Sequence, residues 1–363
     1  MSTTKSFMIT NRSHPEAKDY ASIKPLTGIN ESKLWWYISS ICGNDPDANN
    51  YSSQSPEPAS DAPAIFRKEL LAQLKQQVEP SLTIFIHGLG NLWIDGVRQS
   101  GDLGASLKKQ GYRGTVVGFS WPSYDDPDSL KHYSPGYAFP PLSAIGTIRG
   151  NIGASIASFA SVLEMLTSLV EEVPALQCNF ISHSEGNFML MAGLNGKSNC
   201  KINEILLVAA DINNAVLQDS HEKLTGQGID MSKNARRVSV YYSASDPSLS
   251  YSVYAANEHK PEFHNPVFNG RLGVSGPSYN YGKQFSNVIG VDCSQVINDG
   301  NINYLEQENT IPAGIDVHCS YLYAPQISSD MTSTLMGHAA HLIKNRVSTA
   351  NANSFVIDLD RNS

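Results

Sequence analysis

Ser184 is the residue whose surroundings most suggest covalent chemistry. In segment 181–187 (ISHSEGN) a short apolar run turns into a helical one, and Gly186 follows Ser184 by two positions. Ser182 occupies the first glycine position of the nucleophile-elbow pattern G-x-S-x-G. Small residues are needed on both sides because the strained turn brings the flanking side chains together. The spacing predicts an elbow with Ser184 at its corner, although the pentapeptide alone is equally compatible with an ordinary strand-to-helix turn.

A serine nucleophile needs a histidine base, which should follow it in the chain order Ser, acid, His. The histidines downstream of Ser184 are His221, His259, His264, His318, His338 and His341. His318 comes after the last predicted strand, at 287–291, and before a helix predicted around 328–344. We therefore predict His318 as the base. His338 and His341, spaced three apart, are expected on that helix, behind the site.

Two aspartates could orient the histidine. Asp246 follows a strand predicted at 237–243, and Asp211 follows the strand before it, at 204–210. The acid usually follows the later strand, so Asp246 is the first candidate and Asp211 the alternative. Asp211 could instead cap the helix that begins after it. Asp316 lies so near His318 that we expect it to shape the turn.

An oxyanion hole requires two N–H donors. The backbone N–H of Glu185, directly after the nucleophile, is the first candidate. The second is the N–H of Leu89, since His87-Gly88 follows a strand predicted at 82–86 and allows the backbone to turn inward. His87 and His183 are expected to organise these turns and not to carry protons.

The elements that must hold these residues alternate along the chain. Apolar strands are predicted at 5–12, 34–41, 82–86, 115–120, before Ser184, at 204–210, 237–243 and 287–291, with helical segments at 64–78, 101–109 and 145–166 among them. Continuous apolar strands separated by helices indicate an α/β fold, a doubly wound and mostly parallel sheet with helices on both faces. The candidate residues then meet at the carboxyl edge of the sheet.

Composition narrows the function further. The chain has 363 residues, 41% hydrophobic and 17% charged, with a formal net charge of −8 and no basic cluster, which argues against nucleic acid as a partner. Five scattered cysteines without C-x-x-C spacing favour a reducing compartment and argue against a cysteine-built metal site. No signal peptide or transmembrane run is visible, so we expect a cytoplasmic protein.

We expect a single domain over residues 1–363. Within it, 44–63 reads as a flexible loop, too close to the N-terminus to separate two cores. The stretches 121–141 and 261–283, rich in Tyr, Phe and Pro, are predicted to lie over the site and to suit an apolar acyl or aromatic group.

Several short motifs together resemble one known family. These are ITNR at 9–12, IHG at 86–88, GFSWPS at 118–123, RGN at 149–151, SHSEGN at 182–187, AADI at 209–212, YSASD at 242–246 and RLGVSGP at 271–277. The combination resembles the bacterial α/β-hydrolase family long catalogued only as a domain of unknown function. Two residues depart from the usual elbow: Ser182 replaces glycine, and Glu185 stands where Met or Gln is commoner.

The resemblance implies a Ser–Asp–His hydrolase fold and says little about substrate. With the residues above, it predicts a serine hydrolase that cleaves small-molecule or lipid carboxylic esters through an acyl-enzyme and needs no metal or organic cofactor. The same residues would also serve a lipase, an amidase or an acyltransferase. A binding or scaffold protein that keeps the fold without catalysis is the alternative of another class.

Overall fold

A computed structural model describes residues 4–12, 34–41, 62–91, 93–123, 142–195, 201–214, 216–217, 233–250, 270–278, 285–298 and 317–359. Within these ranges ten strands form one sheet in the order β2-β1-β4-β3-β5-β6-β7-β8-β10-β9. The strands are β1 Thr4–Thr10, β2 Trp35–Ile41, β3 Ser81–Ile86, β4 Thr115–Ser120, β5 Gln177–His183, β6 Ile202–Val208, β7 Ala235–Tyr242, β8 Val288–Asp292, β9 Arg346–Ser348 and β10 Ser354–Ile357. The outer strands β2 and β9 are antiparallel to their neighbours and every other pair is parallel.

Helices cover both faces of the sheet. They are α1 Ala62–Lys75, α2 Trp93–Lys109, α3 Leu142–Glu172, α4 Gly186–Leu194, α5 Leu272–Ser275, α6 Ser294–Asn298 and α7 Pro325–Leu335. Side chains of α1, α3 and α4 share one hydrophobic core, and those of α2, α6 and α7 share the other. The predicted doubly wound α/β fold is therefore confirmed.

Strand β3 illustrates why a continuous apolar run becomes a central strand. All six of its residues are buried, because successive side chains point to opposite faces and both faces are covered. Ile84 and Ile86 pack in the core below α1 and α3, whereas Phe85 packs in the core below α2.

Helix α3 carries the longest apolar pattern of the chain. Its segment Ile152–Glu172 is long and apolar enough to cross a membrane by composition, although half of that stretch is buried in the fold. Phe159, Val162 and Leu166 are core residues that pack against the sheet. A helix that covers a parallel sheet meets the same composition test, so this segment is weak evidence for a membrane span.

Several predicted boundaries need correction. The strand predicted at 287–291 is not the last, since β9 and β10 follow it and β10 pairs with β8. The helix predicted at 328–344 is α7, which ends at Leu335, because Gly337 adopts a left-handed backbone (φ 80°) that stops the helix. His338 and His341 consequently lie beyond the helix and are exposed. The predicted loop at 44–63 ends earlier, since α1 already begins at Ala62.

Candidate active site

Ser184 lies between strand β5 and helix α4, at the carboxyl edge of the sheet. Its φ of 54° is in the left-handed region, which a non-glycine residue adopts only where the surroundings enforce it. Its backbone N–H donates to the carbonyl of Val208 (3.0 Å), and its carbonyl accepts from the N–H of Asp211 (3.3 Å), so the neighbouring strand β6 holds the turn. The predicted strand, strained corner and helix are all present.

The glycines of this turn are required by close approach. A Cβ atom on Gly186 would lie 2.5 Å from the carbonyl oxygen of His87, and one on Gly88 would lie 2.7 Å from Ser184 Cβ. Both distances are shorter than real Cβ contacts, so a side chain at either position would push the elbow away from the loop after β3. The two glycines let that loop lie directly against Ser184.

Asn187 fixes the elbow from inside, a role that the sequence did not reveal. The hydroxyl of Ser182 donates to Asn187 Oδ1 (2.6 Å), and Asn187 Nδ2 donates to the carbonyls of Ser184 (2.8 Å) and Val208 (3.2 Å). Asn187 is fully buried. The serine that replaces the usual glycine at position 182 thus has a partner of its own, and this S-x-x-x-x-N spacing was the available signal.

The aspartate in contact with His318 is Asp246. His318 Nδ1 lies 2.7 Å from Asp246 Oδ2, while the other carboxylate oxygen accepts the backbone N–H groups of Ser248 (3.0 Å) and Leu249 (3.1 Å). Burial by itself raises the pKa of Asp246, but His318 and the N–H of Leu249 outweigh it and leave the pKa below its ordinary value. The carboxylate is therefore charged, and it can orient the ring and stabilise the imidazolium.

Asp211, the alternative acid, is engaged elsewhere. Its Oδ1 lies 2.9 Å from Arg271 Nε, on the segment that carries α5. Hydrogen bonds from Leu272 to the Ile212 carbonyl (2.8 Å) and from Gly273 to the Ala210 carbonyl (2.9 Å) hold that segment against the end of β6. Among the described residues, Asp211 therefore pairs with the arginine Arg271.

His183 connects the elbow to the loop of His318. Its Nε2 lies 2.9 Å from the carbonyl oxygen of His318, so this nitrogen carries the proton and donates. The two rings are 4.6 Å apart between centroids. Burial first, and His318 second, lower the pKa of His183 to about 3, so its ring is neutral. The prediction that His183 supports the elbow agrees with these contacts.

No hydrogen bond joins Ser184 Oγ to His318 among the described residues. Asp246 occupies Nδ1 of His318, so Nε2 is the nitrogen left to act on a serine hydroxyl or a substrate. Uncomplexed sites commonly hold this contact long and shorten it when the substrate is bound.

The two backbone N–H groups predicted for an oxyanion hole belong to Glu185 and Leu89. Glu185 has helical geometry (φ −66°, ψ −17°) directly before α4, which places its N–H in the electropositive first turn of the helix, beside Ser184. The carbonyl of Gly88 accepts from His87 Nδ1 (2.8 Å) and Asn91 Nδ2 (3.1 Å). Because a trans peptide directs N–H opposite to C=O, the Leu89 N–H points away from these donors, and it has no acceptor among the described residues.

The predicted substrate loops are only partly described. Of 121–141, residues 121–123 are buried, and Trp121 packs under the site with its Nε1 donating to the His87 carbonyl (2.8 Å). Of 261–283, residues 270–278 lie against β6 and β7. Outside the described residues lie the rest of both loops, most of 44–63, and the residues His221, His259, His264 and Asp316.

Glu185 is 4% exposed, so its side chain does not turn to solvent.

The ranges given above contain no group of three or more His, Cys, Asp or Glu side chains close enough to hold a metal ion. The described cysteines, Cys178, Cys293 and Cys319, form no disulfide.

Comparison with known families decides the assignment. The family described as "Alpha/beta hydrolase of unknown function (DUF900)" matches residues 62–260, more than half of the chain. The chain belongs to this family. The match covers the elbow, the loop after β3 and Asp246, whereas His318 lies beyond it. None of the curated proteins compared with this α/β hydrolase matches its sequence.

Among solved structures, this α/β hydrolase is similar to a Trichoderma reesei cutinase in complex with a phosphonate inhibitor. The identity is 12%, over 77% of this chain and 93% of the cutinase chain, with a TM-score of 0.28. A likeness at this level adds nothing about substrate.

Proposed function

We propose that this α/β hydrolase is a serine esterase in which Ser184 is the nucleophile, His318 the base and Asp246 the acid. The observation that carries the proposal is the 2.7 Å contact between His318 Nδ1 and Asp246 Oδ2, beside a serine held at a strained elbow. A fold kept only for binding has no need of a buried, ionised carboxylate against a histidine at this position. Perturbed groups gathered around a strained nucleophile are instead typical of active sites.

The reaction follows from these positions. Ser184 Oγ attacks the acyl carbon of the ester while His318 Nε2 takes the serine proton, and the carbonyl oxygen, now negative, accepts hydrogen bonds from Leu89 N–H and Glu185 N–H. When the tetrahedral intermediate collapses, the alcohol leaves with the proton from His318 and the acyl group stays on Ser184. Water then attacks the acyl-enzyme and gives its proton to His318. The acid is released and the proton returns to Ser184 Oγ.

A carboxylic ester is the substrate class that these groups suit best. The proposed site combines a serine nucleophile, a histidine base and two N–H donors, which is what acyl transfer to water requires. The Glu185 carboxyl, buried directly after the nucleophile, offers no positive charge to pair with an anionic acyl group. We therefore expect an uncharged acyl chain. The proposal covers soluble and lipid esters of any acyl chain length. It also includes a cytoplasmic location for the protein.

The test combines turnover with labelling. p-Nitrophenyl esters of increasing chain length should be hydrolysed, and a fluorophosphonate probe should label Ser184. Ser184→Ala and His318→Ala should each abolish nearly all turnover. His338→Ala and His341→Ala are matched controls, because these histidines are exposed beyond α7, and they should keep most of it. Labelling that survives Ser184→Ala, or full activity of His318→Ala, would contradict the proposal.

A further inference from the structure

Arg12 is a buried cation that the triad does not use. It is 1% exposed, lies two residues after the end of β1, and is outside the 62–260 region that defines the family match. Burying an arginine is costly unless its donors are satisfied, so its contacts identify what it holds in place.

The guanidinium of Arg12 links the two loops that follow β3 and β4. Its Nη2 donates to the carbonyls of Asn91 (2.8 Å) and Trp121 (2.6 Å), and its Nε donates to the hydroxyl of Ser120 (3.1 Å). Asn91 and Ser123 strengthen the same junction, since Asn91 N–H donates to Ser123 Oγ (3.0 Å) and that hydroxyl donates to the Asn91 carbonyl (3.0 Å). One fork of donors thus sets the distance between these loops.

A chain of hydrogen bonds runs from Arg12 to the loop after β3, which carries the Leu89 N–H. Ser120 Oγ, which accepts from Arg12, lies 3.1 Å from His87 Nε2, and the N–H of Trp121 donates to the same nitrogen (3.2 Å). Nε2 is therefore the unprotonated nitrogen of His87, and its Nδ1–H donates to the Gly88 carbonyl (2.8 Å). The tautomer of His87 is set by its partners, and burial with the Arg12 charge keeps the ring neutral by lowering its pKa to about 3.

The chain of hydrogen bonds ends at the carbonyl of the Gly88–Leu89 peptide. The N–H of the same peptide, on Leu89, is the proposed oxyanion donor. A hydrogen bond to the Gly88 carbonyl polarises the Gly88–Leu89 amide, and successive hydrogen bonds strengthen one another. The Leu89 N–H on the opposite side then becomes a stronger donor with a fixed direction.

We propose that Arg12 is a positioning residue of the oxyanion hole, acting through Ser120 and His87 on the Leu89 N–H. This inference rests on the proposed esterase function. It gives the motif ITNR at 9–12 a role in catalysis, and it means that the N-terminal strand β1 completes a site whose reacting groups lie far along the chain. Thr10 shares the task, since its hydroxyl donates to the Ser120 carbonyl (2.6 Å) and accepts the Arg12 N–H (3.1 Å).

Two variants test this relay, the chain of hydrogen bonds from Arg12 through Ser120 and His87 to the Gly88–Leu89 peptide. Arg12→Lys keeps the charge but cannot supply the fork of donors, and Ser120→Ala removes only the link between Arg12 and His87. Losing one oxyanion donor outright costs about 10²–10³ in kcat, so weakening one should lower kcat by about 10–100-fold with little change in KM. Arg346→Lys is the matched control. Arg346 is also buried, pairs with Asp330 over 2.7 Å and lies in β9, away from the site. Arg346→Lys should therefore lower the melting temperature without lowering the kcat of the folded protein.

A second measurement separates this inference from the proposed function. Amide hydrogen exchange across residues 87–91 should be faster in both test variants than in the wild type, while exchange across 325–335 should be unchanged. If the wild type neither cleaves esters nor reacts with the fluorophosphonate, the esterase proposal fails. Amide hydrogen exchange across residues 87–91 then still tests whether Arg12 holds this loop through Ser120 and His87. Unchanged exchange in residues 87–91 would overturn the relay, as would an unchanged kcat in Ser120→Ala of an active enzyme. Ser120→Ala decides the matter if Arg12→Lys does not fold.

Discussion

His183 Nε2 donates a hydrogen bond to the carbonyl oxygen of His318, and His183 is covalently adjacent to Ser184. The residue before the proposed nucleophile therefore holds the backbone of the proposed base. Burial and the neighbouring His318 lower the pKa of His183 to about 3, so its ring is neutral while it makes this bond.

The first prediction concerns this bond. His183→Phe keeps an aromatic ring but removes the donor, so the loop of His318 loses an anchor and kcat should fall. Because His183 stays neutral at every working pH, the shape of the pH–rate profile should not change. Steady-state kinetics over a pH series tests both statements. A shifted acid limb would mean that His183 takes part in proton transfer.

The second prediction separates the two aspartates. Asp246→Asn should lower kcat by about 10⁴-fold with the fold intact, since the amide cannot stabilise the imidazolium and favours the wrong tautomer of His318. Asp211→Asn breaks an ion pair with Arg271 and should retain most of kcat. Kinetics and circular dichroism of both variants provide the check. The reverse ranking would transfer the role of acid to Asp211.

The third prediction uses two glycines. Gly88→Ala introduces a Cβ atom 2.7 Å from Ser184 Cβ, so the loop after β3, which carries the proposed oxyanion donor, must shift and kcat should drop strongly. Gly101→Ala, in helix α2, meets no atom within 4 Å and should keep full activity. Alanine in a helix interior is about 0.5–1 kcal/mol more favourable than glycine, so this control should also be slightly more stable. Equal activities of the two variants would refute the close approach.

The fourth prediction concerns stability against pH. His87 and His183 have pKa values lowered to about 3, mainly by burial, whereas an unfolded histidine titrates near about 6.5. Between these values the unfolded state binds more protons, so the free energy of unfolding should fall on acidification below about 6.5, by about 1.4 kcal/mol per pH unit for each histidine.

Urea unfolding at about pH 7.5 and about pH 5 measures this loss. The difference between the two conditions should shrink by about 2 kcal/mol in His183→Phe, since one titrating group is removed. His338→Gln, which replaces an exposed histidine, should show the same difference between the two pH values as the wild type. An unchanged difference in His183→Phe would mean that this ring is not held neutral in the folded protein.

The fold was largely predictable because local patterns determine its elements. The strand 115–120 was predicted with the observed limits of β4, since an apolar run that is buried on both faces is unambiguous when helices flank it. The elbow was predictable for a similar reason, because a strained turn needs small residues close to the nucleophile in sequence. The short strands β9 and β10 were missed, as three or four residues after a helix carry too little periodicity to be recognised.

What the sequence alone determined is the set of residue types available and the edge of the sheet where they must meet. Chain order selected Ser184, Asp246 and His318 as candidates but left Asp211 open, because two consecutive strands are each followed by an aspartate. Only the tertiary structure shows that Asp246 contacts His318 and that Asp211 contacts Arg271. The same holds for Arg12, whose hydrogen-bond partners lie 79, 108 and 109 positions away in the sequence. It also holds for Thr10, whose partner lies 110 positions away. Hydrogen bonds between distant loops leave no periodicity in a sequence, so only the packed strands bring such partners together.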